Sequence, residues 1–187
     1  SAMEIDSIYD NDIEEWVINK EGKKVDDILA LDIIWEENQG TGLTNYIYSI
    51  ENNDFINEYL PLYVYQSDSS REIEAFIIPV SGKGLWSTLK GYFALSADAN
   101  TTLGIVFYSH KETPGLGAEV DKSWFQDQFK KDKKKRIFNN ENNLVSIKLS
   151  KIAADNNPHE VKGITGATVT TKGVTNLLKR DLDRYRL

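Results

Sequence analysis

The sequence has no cysteine and only two histidines, His110 and His159, in 187 residues. Without cysteine there is no disulfide framework, no iron–sulfur cluster and no thiolate zinc site. Two histidines so far apart are a poor basis for a metal centre. Basic side chains are also in deficit, 22 against 29 acidic ones, for a formal net charge of −7. That balance argues against nucleic acid as a partner, because affinity for it comes largely from phosphate neutralisation by Lys and Arg. Long apolar runs are missing too. Stretches such as Ala75–Val80 fall far short of the roughly 20 residues a membrane helix needs. Most of the usual catalytic groups are therefore lacking, and any chemistry points to reactive atoms supplied by a bound cofactor.

What is present suits a globular domain. Hydrophobic residues make up 40% and charged ones 27%, close to the average, and the length suffices for one well-buried core. Ser1 and Ala2 precede Met3 and read as an expression scar.

Along the chain, Ile13, Trp16 and Val17 have the spacing of a short helix. Asp26–Trp35 fits a helix or a buried strand, and Gln39–Gly42 marks a loop. Leu62–Gln66 and Ile73–Ile78 are aromatic and β-branched runs joined by the turn-forming Ser67–Ser70, so they predict a hairpin. Gly91–Ser96 and Leu103–Ser109 predict a second hairpin around Asp98–Asn100. Neither pair has a helical crossover, which favours an antiparallel sheet. Val120–Phe129 carries aromatics at helical spacing, and the basic run Lys130–Arg136 reads as its solvated end. Leu144–Leu149 alternates like a half-buried strand, and the stripe Val174, Leu177, Leu178 and Leu182 predicts a helix over Thr171–Tyr185. The expected fold is one α+β domain, a mainly antiparallel sheet flanked by helices. Residues 1–60 are expected to be an N-terminal extension packing on a domain of residues 61–187.

Three glycine-punctuated loops interrupt this pattern. Gly163–Thr171 puts small and hydroxyl residues before the last helix, as a phosphate site or an ordinary N-cap would. Glu112-Thr113-Pro114-Gly115-Leu116-Gly117 follows a strand. It places backbone donors beside one apolar side chain, which suits a flat heteroaromatic ring with carbonyls on its edge and equally suits a plain connection. Ser81–Ser87 repeats the combination with Trp86, whose commoner fate is the core. A shared pocket for all three is the expectation.

Thr165-Gly166-Ala167-Thr168 followed by Val169-Thr170-Thr171 resembles the signature of covalent FMN-binding domains, and Glu112–Gly117 looks like that family's second signature. Both occur in the sodium-translocating NADH:quinone oxidoreductase and in the Rnf-type ferredoxin:NAD oxidoreductase. Gly82–Ser87 is similar to the block of the sodium-translocating branch. The resemblance runs from about Phe76 to the C-terminus. It implies FMN joined through its phosphate to Thr168, with Thr165, Gly166, Ala167, Thr170, Glu112, Thr113, Gly115, Leu116, Gly117, Gly84, Leu85 and Trp86 around it. In the family a separate Mg-dependent flavin transferase makes the bond from FAD, so a chain from a host lacking it is expected to be without FMN. Thr168 is then an attachment point, and no residue is expected to be catalytic. Lys162 departs from the acidic residue usual three positions before the Thr-Gly-Ala-Thr block, with Glu160 nearby. The implied role is electron relay among the other subunits of a membrane respiratory complex. The implied place is the cell inner membrane, with one N-terminal membrane helix missing here and an extracytoplasmic flavin domain. A non-redox regulatory flavin domain and a flavin-free structural subunit are the remaining readings.

Overall fold

Apolar side chains in the middle of the chain recur with a period of two, and that period builds the main sheet. The structure, a computed structural model, describes residues 12–27, 33–48, 59–67, 70–154 and 156–185. Its strands are β1 (Ile13–Ile18), β2 (Lys24–Val25), β3 (Ile33–Glu37), β4 (Thr44–Tyr48), β5 (Leu60–Gln66), β6 (Ile73–Lys83), β7 (Thr88–Ser96) and β8 (Thr102–Ser109). A short helix α1 (Ser123–Gln126) follows, then β9 (Lys148–Ser150), β10 (Glu160–Lys162) and the long helix α2 (Thr168–Tyr185). Six strands join in the order β2-β1-β5-β6-β7-β8, every pair antiparallel. β3 and β4 form a separate antiparallel hairpin, and β9 pairs in parallel with β10. This is the α+β architecture expected, and both predicted hairpins are present, although residues 68–69 of the first turn lie outside the described residues.

One face of the sheet is covered. Leu89, Phe93 and Leu95 of β7 are buried with Ile78 and Val80 of β6, beneath Val174, Leu177, Leu178, Leu182 and Tyr185 of α2. Each such side chain contributes about 1.5–3 kcal/mol on burial. Phe93 and Phe129 meet edge to face at 6.2 Å, and Phe125 extends that cluster. The helix sits close because Gly173 lacks a side chain: a Cβ there would lie 2.3 Å from the Lys83 carbonyl oxygen of β6. The uncovered face carries Tyr63, Tyr92 and Tyr108 in a row, with ring centroids 5.9 and 5.3 Å apart, and a groove of about 480 Å3. The β3–β4 hairpin is tied on by Lys90 to Glu37 at 2.8 Å and by the Thr44 N–H donating to Ser81 Oγ at 2.9 Å.

Several expectations are corrected. Ile13, Trp16 and Val17 lie in strand β1, not a helix, because the run pairs residue for residue with β5 and Ile18 enters the core. Within Asp26–Trp35 the alternative resolves to strand at Ile33, while residues 28–32 lie outside the described residues. Val120–Phe129 is not one helix but a four-residue α-turn between 3-10 turns, Gly117–Asp121 and Asp127–Phe129. Phe125 and Phe129 are buried without a continuous helix. The run Lys130–Arg136 is no helix end either: Lys134 is left-handed at φ 51°, and Lys135 is buried with its Nζ donating to the Asn157 carbonyl at 2.8 Å. Leu144–Leu149 gives a strand only from Lys148, since Ser146 at φ 63° breaks the extended run. α2 starts at Thr168, one turn earlier than its apolar stripe indicated. No helix among the described residues is long and apolar enough to cross a membrane.

Candidate functional site

Glu112 joins the three loops. It follows β8, is 5% exposed, and points its carboxylate into the protein. Oε1 accepts the Trp86 N–H at 2.9 Å, and Oε2 accepts the Leu85 N–H at 3.1 Å and the Thr170 hydroxyl at 2.5 Å. Burial pushes this carboxyl up, but the Thr170 hydroxyl and the amides of Trp86, Leu85 and Ser87 together outweigh it and hold the group below the ordinary carboxylate range. Gly117 is required beside it, since a Cβ there would lie 2.6 Å from both Glu112 Oε2 and Thr170 Oγ1.

The loop that Glu112 grips presents Trp86. This indole is 65% exposed, against the core placement that is the commoner fate of tryptophan. Its ring nitrogen donates to Thr113 Oγ1 at 3.0 Å, so the side chain is held at its tip as well as at its backbone. Lys111 N–H donates to Ser87 Oγ at 2.7 Å and closes the loop from the other side. His110 accepts the Glu112 N–H on Nδ1 at 3.1 Å, and its Nε2 lies 2.7 Å from Asp121 Oδ2, which fixes the ring tautomer.

The third loop delivers the start of α2. Gly166 has φ 79°, and Leu116 Cδ2 lies 3.0 Å from where its Cβ would stand, so the second and third loops touch there. Of the threonines, Thr170 is committed to Glu112, and Thr171 Oγ1 accepts the Ile164 N–H at 3.1 Å. Thr165 and Thr168 are exposed. Thr168 opens the helix and Ala167, with no side-chain acceptor, precedes it. Among the described residues no acceptor faces the N–H groups of Thr168, Val169 and Thr170. Free N–H groups at the positive end of a helix dipole suit a phosphate.

Each residue singled out in the sequence can now be placed. Gly84, Leu85 and Trp86 meet Glu112 and Thr113. Glu112 and Gly117 meet Thr170, and Leu116 meets Gly166. Gly115, at φ 74° with open space around it, lies at the tip of the second loop. Leu85, Trp86, Leu116 and Val169 are exposed apolar side chains from these three loops. Lys162 lies in β10, exposed, with its N–H donating to Gln128 Oε1 at 2.7 Å. Two features escape a reading of the sequence: the inward turn of Glu112, and the Asp121 partner of His110. Neither leaves a local sequence signal, since the carboxylate's partners are at least 26 residues away and Asp121 is 11 residues from His110.

Residues 84–183 match the FMN-binding domain family. The chain belongs to that family. Its apolar, backbone-rich loops beside an exposed hydroxyl and unpaired helix N–H groups fit FMN, a flat ring with a phosphate tail. The chain is 40% identical over 124 residues to the C subunit of the Na(+)-translocating NADH-quinone reductase of Pseudomonas aeruginosa, covering 64% of this chain and 45% of that protein. The corresponding protein of Haemophilus ducreyi is 37% identical over 122 residues, covering 65% and 46%. The chain spans about half the length of these curated relatives. Among solved structures, NqrC of Shewanella oneidensis superposes with a TM-score of 0.73 at 23% identity, over 98% of this chain and 87% of the other. The C subunit of the Na(+)-translocating NADH-quinone reductase of Parabacteroides distasonis superposes at 0.72 with 28% identity, over 100% and 82%.

Proposed function

We propose that this chain is the flavin-carrying part of an electron-carrier subunit of a sodium-translocating NADH:quinone oxidoreductase, with FMN joined through its phosphate to Thr168 as a phosphoester. The observation that carries the attachment site is the contrast among threonines: Thr170 and Thr171 spend their hydroxyls inside the protein, whereas Thr168 is exposed at the first turn of α2. The names of the relatives support the complex. Bound FMN supplies reversible electron transfer, for which the side chains here have no equivalent. The chain's part is placement. The N–H groups at the start of α2 receive the phosphate, and Leu85, Trp86, Leu116 and Val169 shield the ring from water.

A threonine hydroxyl is a weak nucleophile without a base beside it. Both nitrogens of His110 are engaged with Glu112 and Asp121, which supports the reading that a separate flavin transferase makes the ester. The division into residues 1–60 as a packing extension and 61–187 as the flavin domain belongs to the same reading. So do anchorage in the cell inner membrane by an N-terminal helix, exposure of the flavin domain on the extracytoplasmic side, and assembly with the other subunits of the complex. Co-expression with a flavin transferase tests the attachment. Intact mass is expected to rise by FMN less water in the unmodified chain and in Thr165→Ala, and not in Thr168→Ala. No increment in the unmodified chain overturns covalent attachment.

A further inference from the structure

We propose that Glu112 is the positioning residue of the flavin site: its carboxylate fixes the backbone of the Gly84–Ser87 loop that carries the Trp86 indole, and its charge disfavours reduction of the flavin beside it. This rests on the reading that FMN is carried at Thr168. The positioning half follows from the contacts. Trp86 projects into solvent, yet its backbone N–H is held by Glu112 Oε1 at 2.9 Å and its ring N–H by Thr113 Oγ1 at 3.0 Å. A surface indole fixed at both ends has already given up the rotamer freedom that binding a flat ring would otherwise cost.

The electrostatic half follows from what surrounds the carboxylate. Its donors are neutral, two amide N–H groups and the Thr170 hydroxyl, and no ion pair with a cation is formed among the described residues. A full negative charge therefore stays in a dry setting against the first turn of α2, the turn that begins with Thr168. A group that gains an electron next to a buried anion gains it less readily, and the low local dielectric magnifies the effect. A glutamine of the same shape would remove the charge and turn an NH2 toward donors that need an acceptor.

The test uses Glu112→Gln and Thr113→Val in the chain co-expressed with a flavin transferase. Acrylamide quenching of Trp86, taken as the difference from the matching Trp86→Phe protein without flavin, reads the positioning. Equilibration of the loaded protein with a one-electron mediator dye reads the charge. In Glu112→Gln, Trp86 quenching is expected to rise about twofold or more. The dye equilibrium should move about tenfold toward reduced flavin, equivalent to about 59 mV for one electron. Thr113→Val should loosen Trp86 alike, since it removes the acceptor of the indole N–H. Unchanged quenching in Glu112→Gln overturns the positioning role. A dye equilibrium in Glu112→Gln within twofold of the unmodified chain overturns the electrostatic one. Should Glu112→Gln not fold, Glu112→Asp replaces it: charge kept and reach shortened predict faster quenching with an unmoved equilibrium, and a tenfold shift there overturns the electrostatic role. A chain that takes up no FMN defeats the attachment reading, while the flavin-free quenching still decides the positioning.

Discussion

Glu112 and Asp181 are both almost fully buried, at 5% and 2% exposure, and they are satisfied in opposite ways. Glu112 holds together the N-terminal end of α2 with amide and hydroxyl donors. Asp181, three turns along the same helix, has charged neighbours: Arg180 donates to it at 2.8 Å and Arg184 stands 3.8 Å away, while the Ser81 N–H donates at 2.8 Å. Yet burial still pushes Asp181 up, despite the pull of Arg180, whereas convergent neutral donors bring Glu112 down. Arg180 is partly in water, which screens its charge; the donors to Glu112 are fixed by backbone geometry and aimed at its two oxygens. Burial decides the direction at Asp181, and the donors decide it at Glu112. One carboxylate organises a candidate site, and the other fastens α2 to β6 and, through Arg184 and the Thr44 carbonyl at 3.0 Å, to the β3–β4 hairpin.

Deleting each carboxylate in turn should separate the two most widely. Glu112→Ala leaves two amides and the Thr170 hydroxyl without their acceptor in a buried site, a loss of about 3–5 kcal/mol in urea unfolding. Asp181→Ala should cost less, about 2 kcal/mol, because Arg180 is partly in water and Arg184 keeps the Thr44 carbonyl, which leaves the Ser81 N–H as the main stranded donor. Equal losses would mean that the two carboxylates are held by the same means after all.

A smaller effect probes the space around Glu112 alone. Gly117→Ala drives a methyl against Glu112 Oε2 and Thr170 Oγ1, both 2.6 Å from the new carbon, and should cost about 1–3 kcal/mol by thermal melting. Gly115→Ala, two residues away, meets nothing within 4 Å and pays only for its left-handed backbone, about 1 kcal/mol. Reversal of that order would show that the loop adapts around Glu112 instead of being pinned by it.

The same contrast separates what a sequence declares from what it hides. Period-two runs such as Gly91–Ser96 and the stripe Val174–Leu182 declare β7 and α2, because each buries a face by local repetition. The three loops are legible through their glycines and threonines. Ile13–Ile18 misleads because an apolar spacing of three and four in a six-residue strand imitates a helix, and only pairing with β5 decides it. The segment Val120–Phe129 misleads because burial follows from packing of Phe129 on Phe93 and of Phe125 on Phe129, not from helix continuity. The grip of the Glu112 carboxylate and the tie of Asp181 to β6 depend on partners 26 to 100 residues away. An acidic residue before a Thr-Pro turn and one on a charged helix look alike in sequence, and tertiary contacts alone separate them.

The finest test is the acid limb of stability. Glu112 is held below its ordinary range when folded, so the stability it contributes is present above that range and is lost as pH falls through its folded value. Asp181 is raised when folded, so its contribution is greatest at low pH and declines as pH rises through its folded value. In the unmodified chain these two slopes oppose each other. Urea unfolding at about pH 7 and at about pH 4 should therefore show a smaller acid loss in Glu112→Gln than in the unmodified chain, and a larger one in Asp181→Asn. The changes should be smaller than those of the alanine variants, since each glutamine or asparagine keeps its shape. If both variants flatten the acid limb, Asp181 is ionised by its arginines as firmly as Glu112 is by its amides, and burial does not set the two carboxylates apart.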